Sequence, residues 1–223
     1  MIEPKGDLAY LLSPVGAEEA AAHLRAYFTP LPVGKYSGAH FERLGGGGDR
    51  PSIADEFTAE DLIAVSMLAV EVVGDAALEV LELRRARLRE LLRRVPTDVA
   101  LVDLEPESLG PEWPVRALYR ELIDIRLVGE TAATKLLARK RPHLVPILDS
   151  VVTNELSIVK GNYWVPLHAW LTADGRANHH HLLALRSLAG LGEEISALRI
   201  FDVLAWLVGK GYALPRKDPA PVQ

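Results

Sequence analysis

Residues 129–149 read GETAATKLLARKRPHLVPILD, and this stretch decides the fold expected of the chain. Gly129 is a turn residue, and the small residues after it open a short helix. A basic loop bounded by Pro142 and Pro146 follows, and Asp149 stands at the mouth of a new helix. A helix N-terminus leaves N–H groups unpaired and carries positive dipole character, which suits a phosphate. An acid held at a fixed distance beyond such an anchor can reach the sugar attached to that phosphate. The stretch therefore reads as a place where nucleic-acid backbone is gripped and one glycosidic bond is attacked.

Outward from this stretch the pattern is helical in both directions. Upstream, 116–125 has apolar spacing and supplies the first helix of a hairpin. Ala17–Tyr27 reads as a helix, and 29–48 as a long irregular segment ending in four glycines. Thr58 with Asp61 forms a capping-box pattern. The helix behind it places Leu62, Ile63, Val65, Leu68, Ala69 and Val72 on one face. Asp75 opens a helix that runs through the arginine-rich 84–94 and stops before Pro96. The segment 96–114 is mostly loop, with Pro114 at a first helical position; Val99–Leu104 is the best strand candidate. Downstream, a helix from Asp149 runs toward Lys160 and stops at Gly161. A short helix or turn covers 164–171, Asn178 caps 179–189, and 196–208 is a final, largely buried helix. The fold class is all-α: one globular domain over 1–223, or two lobes meeting in the loop 96–114 around a cleft, with a frayed tail at 215–223.

Composition sets outer bounds. A chain of 223 residues builds one good core. No apolar run is long enough to span a bilayer, and no secretory signal is recognised, so a cytoplasmic protein with no membrane partner is expected. There is no cysteine, which excludes disulfides and thiolate metal sites. The formal net charge of −5 weighs against a bulk nucleic-acid binder, yet basic stripes occur at 84–94 and 135–141. The first of these also fits the wet face of an amphipathic helix with Leu88, Leu91 and Leu92 turned inward.

The 116–150 region resembles the core of the helix-hairpin-helix DNA glycosylase superfamily. Gly129 matches the hairpin glycine, Ala133 the alanine four residues on, Pro142 and Pro146 the loop, and Asp149 the catalytic aspartate. The resemblance implies a glycosylase-like helical fold, DNA as partner, and a monofunctional N-glycosylase that flips out and hydrolyses away a damaged or modified base. Repair and defence against modified phage bases are both compatible roles. Two departures stand out. Leu127 occupies the place of a second hairpin glycine, and Thr131 falls where some members carry a lyase lysine, so no Schiff base is expected there. Without cysteine no iron–sulfur cluster is expected, and no cofactor is called for. Through the segments 27–42 and 195–206 the whole chain also resembles an uncharacterised actinobacterial family of unknown function, which brings no activity with it.

Under the glycosylase reading Asp149 is the catalytic carboxylate. Breaking the N-glycosidic bond develops positive charge on the sugar, and an ionised carboxylate stabilises it and orients the attacking water. It should then be partly accessible, in a cleft lined by 27–41 or by the C-terminal helices. Gly129 and Thr131 would hold a phosphate through backbone groups. Lys135, Arg139, Lys140 and Arg141, with Arg126, would supply side-chain phosphate contacts. Tyr36, His40 and Phe41 are base-pocket candidates, through stacking; the same aromatics would equally pin a long loop to the core. His143 and His168 are weaker candidates for that pocket. Asp149 has a plain structural alternative as a helix N-cap. The run His179-His180-His181 points in different directions on a helix, so no metal site is expected. Gly45–Gly48 lacks the Lys-Ser/Thr of a phosphate loop and reads as a flexible linker. The alternative function is a non-catalytic DNA- or protein-binding module that kept the fold.

Overall fold

The computed structural model describes residues 2–156 and 163–213. Among them there are helices and turns but no strand. The helices are α1 (Gly6–Leu11), α2 (Ala17–Phe28), α3 (Ala59–Ser66), α4 (Asp75–Leu78), α5 (Arg85–Leu92), α6 (Pro114–Ile123), α7 (Glu130–Lys140), α8 (Ser150–Glu155), α9 (Trp164–Leu188) and α10 (Ala197–Gly209). The strand candidate at 99–104 is instead a 3-10 turn, Leu101–Asp103, since a lone strand has no ladder to join. The expected extension of α8 toward Lys160 and Gly161, and the tail from Pro215, lie outside the described residues.

α10 is the central element. Ser196 caps it by accepting the Arg199 N–H at 3.1 Å. Its side chains Ile200, Phe201, Val203 and Leu204 are wholly buried. It packs against α1, α2, α8 and α9. α9 is broken at 173–176, where Asp174, Gly175 and Arg176 adopt left-handed backbone; the break separates the two helices expected from the sequence. Asn178 holds the break by donating to the Trp170 carbonyl at 2.8 Å.

α6 and α7 pack together as a helical hairpin, with Pro114 in the first turn of α6. The turn at 124–129 reverses the chain through Leu127, whose φ is +73°. That is glycine-like backbone on a leucine, and the side chain projects into solvent at 65% exposure. α3 lies against α7 and begins with the expected capping box. Asp61 Oδ2 accepts from the Thr58 N–H at 2.8 Å. Ile63, expected on the apolar face of α3, is exposed, because the helix buries the stripe of Leu62, Ala64 and Val65.

α4 continues through one wide turn at Glu79–Leu83 into α5. Leu88, Leu91 and Leu92 are buried. The arginines of this run pair with acids: Arg84 with Glu79 at 2.9 Å, Glu121 at 3.0 Å and Asp124 at 2.8 Å, Arg87 with Glu90 at 2.9 Å, and Arg85 with Glu56. The stripe at 84–94 is therefore a solvated, salt-bridged helix face.

The basic run at the end of α7 is built into the interior. Arg139, Lys140 and Arg141 are all at most 2% exposed. The irregular wrap at 41–55 explains why. It forms no long helix, so its carbonyls need donors from elsewhere. Arg139 donates to the carbonyls of Phe41 and Leu44. Lys140 donates to those of Gly48 at 3.0 Å and Ile53 at 3.2 Å. Arg141 reaches Ala54 at 2.7 Å, and Leu92 and Val95 at 2.8 Å. Asp61 joins Lys140 at 2.5 Å and Arg139 at 3.3 Å, and Asp55 joins Arg141 at 2.8 Å.

Two expectations are thereby corrected. Arg139, Lys140 and Arg141 are not a phosphate grip: their heads are spent on internal carbonyls and acids. Nor is Gly45–Gly48 a loose linker. Gly48 is buried so close to Arg139 that a Cβ would come within 2.6 Å of that residue's backbone oxygen.

Candidate functional site

Asp149 is the N-cap of α8, as its place after Pro146 suggests. Its Oδ1 accepts the Val151 N–H at 2.9 Å. Its Oδ2 accepts from Lys135 Nζ at 3.1 Å. The side chain keeps 17% exposure, so capping and ion pairing leave one edge of the carboxylate open. Lys135 projects from α7 and is fixed by a second acceptor, the Leu68 carbonyl, at 2.8 Å. That carbonyl is presented by the turn after α3, where Ala69 has φ +59° and Ser37 Oγ holds the Met67 carbonyl at 2.9 Å.

Asp149 and Lys135 form part of the wall of a cavity of about 210 Å³. The segment 27–41 contributes Tyr27, Lys35, Tyr36, Ser37 and Gly38, and α10 contributes Arg199, Asp202 and Trp206. Both walls named as expectations for the Asp149 cleft are thus present. Tyr36 stacks on Tyr27 with ring centroids 5.0 Å apart, and Trp206 meets Tyr36 edge-on at 5.8 Å. Tyr212 closes on both rings from outside, 6.3 Å from Tyr36 and 5.6 Å from Trp206. Space of this volume is enough for one small ring system.

Behind the cavity lies a buried polar cluster. Arg199 donates to Glu42 Oε1 at 2.6 Å, to the Tyr27 hydroxyl at 2.9 Å and to Asp202. Its guanidinium also lies over the rings of Tyr27, Phe28 and Phe41. Burial pushes the Asp202 carboxyl up; Arg199 opposes this, and the nearby Asp149 charge adds to it. Burial likewise raises Glu42 and the Tyr27 hydroxyl. Arg199 thus anchors α10 to α2 and to the 38–42 turn, and so sets the position of the cavity's back wall.

The other expected site residues fall in different places. Tyr36 lines the cavity. His40 and Phe41 do not: His40 Nε2 accepts the Leu31 N–H at 3.2 Å and pins the loop, while Phe41 is buried under Arg199 and Arg139. His168 is buried against the Leu104 carbonyl at 2.9 Å, away from this cavity, and burial lowers His143. Gly129 and Thr131 border a separate open groove of about 560 Å³ between the hairpin and the start of α8, with Leu127, Ser150 and Asn154. Glu130 sits in the same groove. His179, His180 and His181 lie on the second half of α9, where burial lowers His179 and His181. Among the described residues no three His, Cys, Asp or Glu side chains come together as a metal site.

Sequence reasoning missed Arg199, Asp202 and Trp206. A signal was available: Arg199 and Asp202 stand three residues apart in an otherwise apolar helix, which places both charges on one buried face.

The fold and site define an all-helical protein with a helical hairpin, a helix-capping aspartate and an aromatic cavity between them. The chain belongs to the family of unknown function DUF6308, whose model matches residues 20–209. No curated protein and no solved structure matches it. Among the described residues no helix is long and apolar enough to cross a membrane.

Proposed function

We propose that this protein is a monofunctional N-glycosylase acting on a flipped, damaged or modified base of DNA, with Asp149 as its catalytic carboxylate. The observation that carries this reading is the position of Asp149. It caps the helix that follows the hairpin, keeps an open edge, and faces a cavity of single-base size walled by Tyr36 and Trp206. A base enters the cavity alongside this aromatic cluster, bringing its sugar to the mouth beside Asp149. The carboxylate stabilises the cationic sugar and orients water on it. Lys135 keeps the carboxylate aimed, since its ammonium bridges Asp149 and the fixed Leu68 carbonyl. Atoms balance as simple hydrolysis: water adds to the sugar carbon and the free base leaves with a proton.

The backbone grip differs from the expectation. All four cations of the 135–141 run are at most 2% exposed, and Lys135, expected as a phosphate contact, is instead held by Asp149 and the Leu68 carbonyl, so phosphate contact falls to the backbone N–H groups at the start of α7, beside Gly129 and Thr131, and to Arg126 and Lys35 at the surface. Arg126 is exposed and paired with Asp75 at 2.9 Å. Weak, salt-sensitive DNA binding follows. The same sealing of cations favours the second reading, a non-catalytic binding module that kept the hairpin.

The deciding assay incubates the protein with duplex and single-stranded DNA carrying varied modified bases and treats half of each sample with alkali. Strand breaks only after alkali, with free base released, support the monofunctional glycosylase. DNA retention without base release from any substrate supports the binding module.

A further inference from the structure

A base that leaves its sugar takes the bonding electron pair onto nitrogen, and a proton delivered to the base eases its departure. Asp149 is not the donor, since it serves as a carboxylate beside the Lys135 ammonium. A second acid stands in the same cavity. Asp202, from α10, shares the wall with Asp149, Lys135 and Trp206, and its side chain is 8% exposed. Its Oδ2 accepts from Arg199, and its Oδ1 has no hydrogen-bond partner among the described residues. A neutral carboxyl held by one oxygen has the other to present a proton.

The surroundings favour that neutral form. Arg199 stands between two sealed acids, Glu42 at 2.6 Å and Asp202. One cation balances one carboxylate, so the trio holds a proton when both acids are out of water. Glu42 has further support as a charge: it accepts its own backbone N–H, and Arg139 from α7 lies in its field. Asp202 instead faces the Asp149 charge at the start of α8 and the Glu42 charge from the 41–55 wrap, and both disfavour another negative charge. Lys135 from α7 and Arg199 on its own helix act the other way, and Lys35 adds a cation to the cavity wall. The Tyr27 hydroxyl from α2 and the Tyr163 hydroxyl before α9 are neutral neighbours. Burial outweighs the cations and keeps the Asp202 carboxyl above its usual range.

We propose that, given the glycosylase reading on which this rests, Asp202 is a second catalytic residue, the general acid that protonates the departing base. The bond from C1′ to the base nitrogen breaks with its electron pair on the base. Asp202 gives its proton to a ring nitrogen or carbonyl oxygen of that base. Water bonds to C1′ and passes one proton through Asp149 to solvent, and solvent returns a proton to Asp202. Two carboxyls in one cavity, one charged beside a lysine and one kept neutral by burial, thus divide the work. The substrates this selects are bases with a hydrogen-bond acceptor on the edge that meets α10.

Two measurements on the full chain test the role of Asp202. Carbon-13 NMR titration of the side-chain carboxyls, without DNA, should show Asp202 losing its proton above the usual carboxylate range. Single-turnover base release, from modified-base DNA that the wild type processes, should fall on the alkaline side as Asp202 ionises. Asp202→Asn is a neutral isostere that keeps an acceptor for Arg199, so the fold should hold. It should lower base release about a hundredfold or more and erase the alkaline fall. The titration uses the wild-type chain and decides the matter even where the variant folds poorly. An Asp202 that titrates as an ordinary carboxyl, a variant as fast as wild type, or a slower variant with the alkaline fall unmoved would overturn the role of Asp202 and leave that of Asp149 standing. No base release by the wild type from any substrate would overturn the glycosylase reading, and the role of Asp202 with it.

Discussion

Lys135 Nζ lies 3.1 Å from Asp149 Oδ2 and donates its other bond to the Leu68 carbonyl, so the acid at the start of α8 is held by the middle of the hairpin's second helix. The pair links the two structural halves of the proposed site. Lys135→Met keeps the stem and removes the charge. Under the proposed function it should lower base release with the fold intact, since the carboxylate loses the ammonium that aims it, while Lys135→Arg, which keeps the charge, should retain more of the rate. Equal losses of base release in the two variants would reduce Lys135 to a packing role.

Leu127 tests the hairpin. A leucine at φ +73° carries a left-handed penalty of about 1–2 kcal/mol, and glycine carries none, at about 0.5–1 kcal/mol of extra unfolded-state entropy. The exposed side chain contributes little burial. Leu127→Gly should therefore be neutral or raise stability by up to about 1 kcal/mol, while Leu127→Val should lower it. Urea unfolding of the two variants measures this; a clearly destabilised glycine variant would mean the side chain has a packing partner.

The sealed ion cluster is expected to be a stability element. Asp61 is the shared acid of Arg139 and Lys140, all three fully buried. Asp61→Asn strands two buried cations and should cost about 3–5 kcal/mol. Its effect should appear in the unfolding midpoint, with DNA affinity of the surviving folded fraction unchanged. Affinity that falls in step with loss of charge would return these residues to the nucleic-acid surface.

The outline of the fold was legible where signals are local. The hairpin, the Thr58–Asp61 cap, the Ser196 start of α10 and the placing of Asp149 at a helix mouth all follow from spacing and caps within a few residues. The fate of Arg139, Lys140 and Arg141 was not legible. Their acceptors are carbonyls of 41–55 and 92–95, and no local pattern says that a distant loop will lack donors. For the same reason Gly45–Gly48 looked loose: the tightness comes from Arg139 packed on Gly48. Of Tyr36, His40 and Phe41, only Tyr36 lines the cavity, while His40 pins the loop and Phe41 is buried against Arg199.

Acid response provides a further check. Glu42 is raised above its usual range by burial, so the folded chain binds more protons than the unfolded one between the usual carboxylate value and the raised one. In that window stability contributed by this group rises as pH falls, and above the raised value its ionisation penalty is fully present. Glu42→Gln removes the titration. The difference in unfolding free energy between wild type and the variant should shift in favour of wild type on going from pH 8 to pH 5. A pH-independent difference would show that Glu42 titrates alike in both states.

The central claim is that Asp149 is the group that breaks the glycosidic bond. The most direct measurement is single-turnover base release by Asp149→Asn beside wild type, on whichever modified-base DNA the wild type processes. The amide keeps the size and part of the capping role but loses the charge, so the fold and DNA binding should stay close to wild type while base release falls by about two to three orders of magnitude. Base release by Asp149→Asn at the wild-type rate would contradict the account.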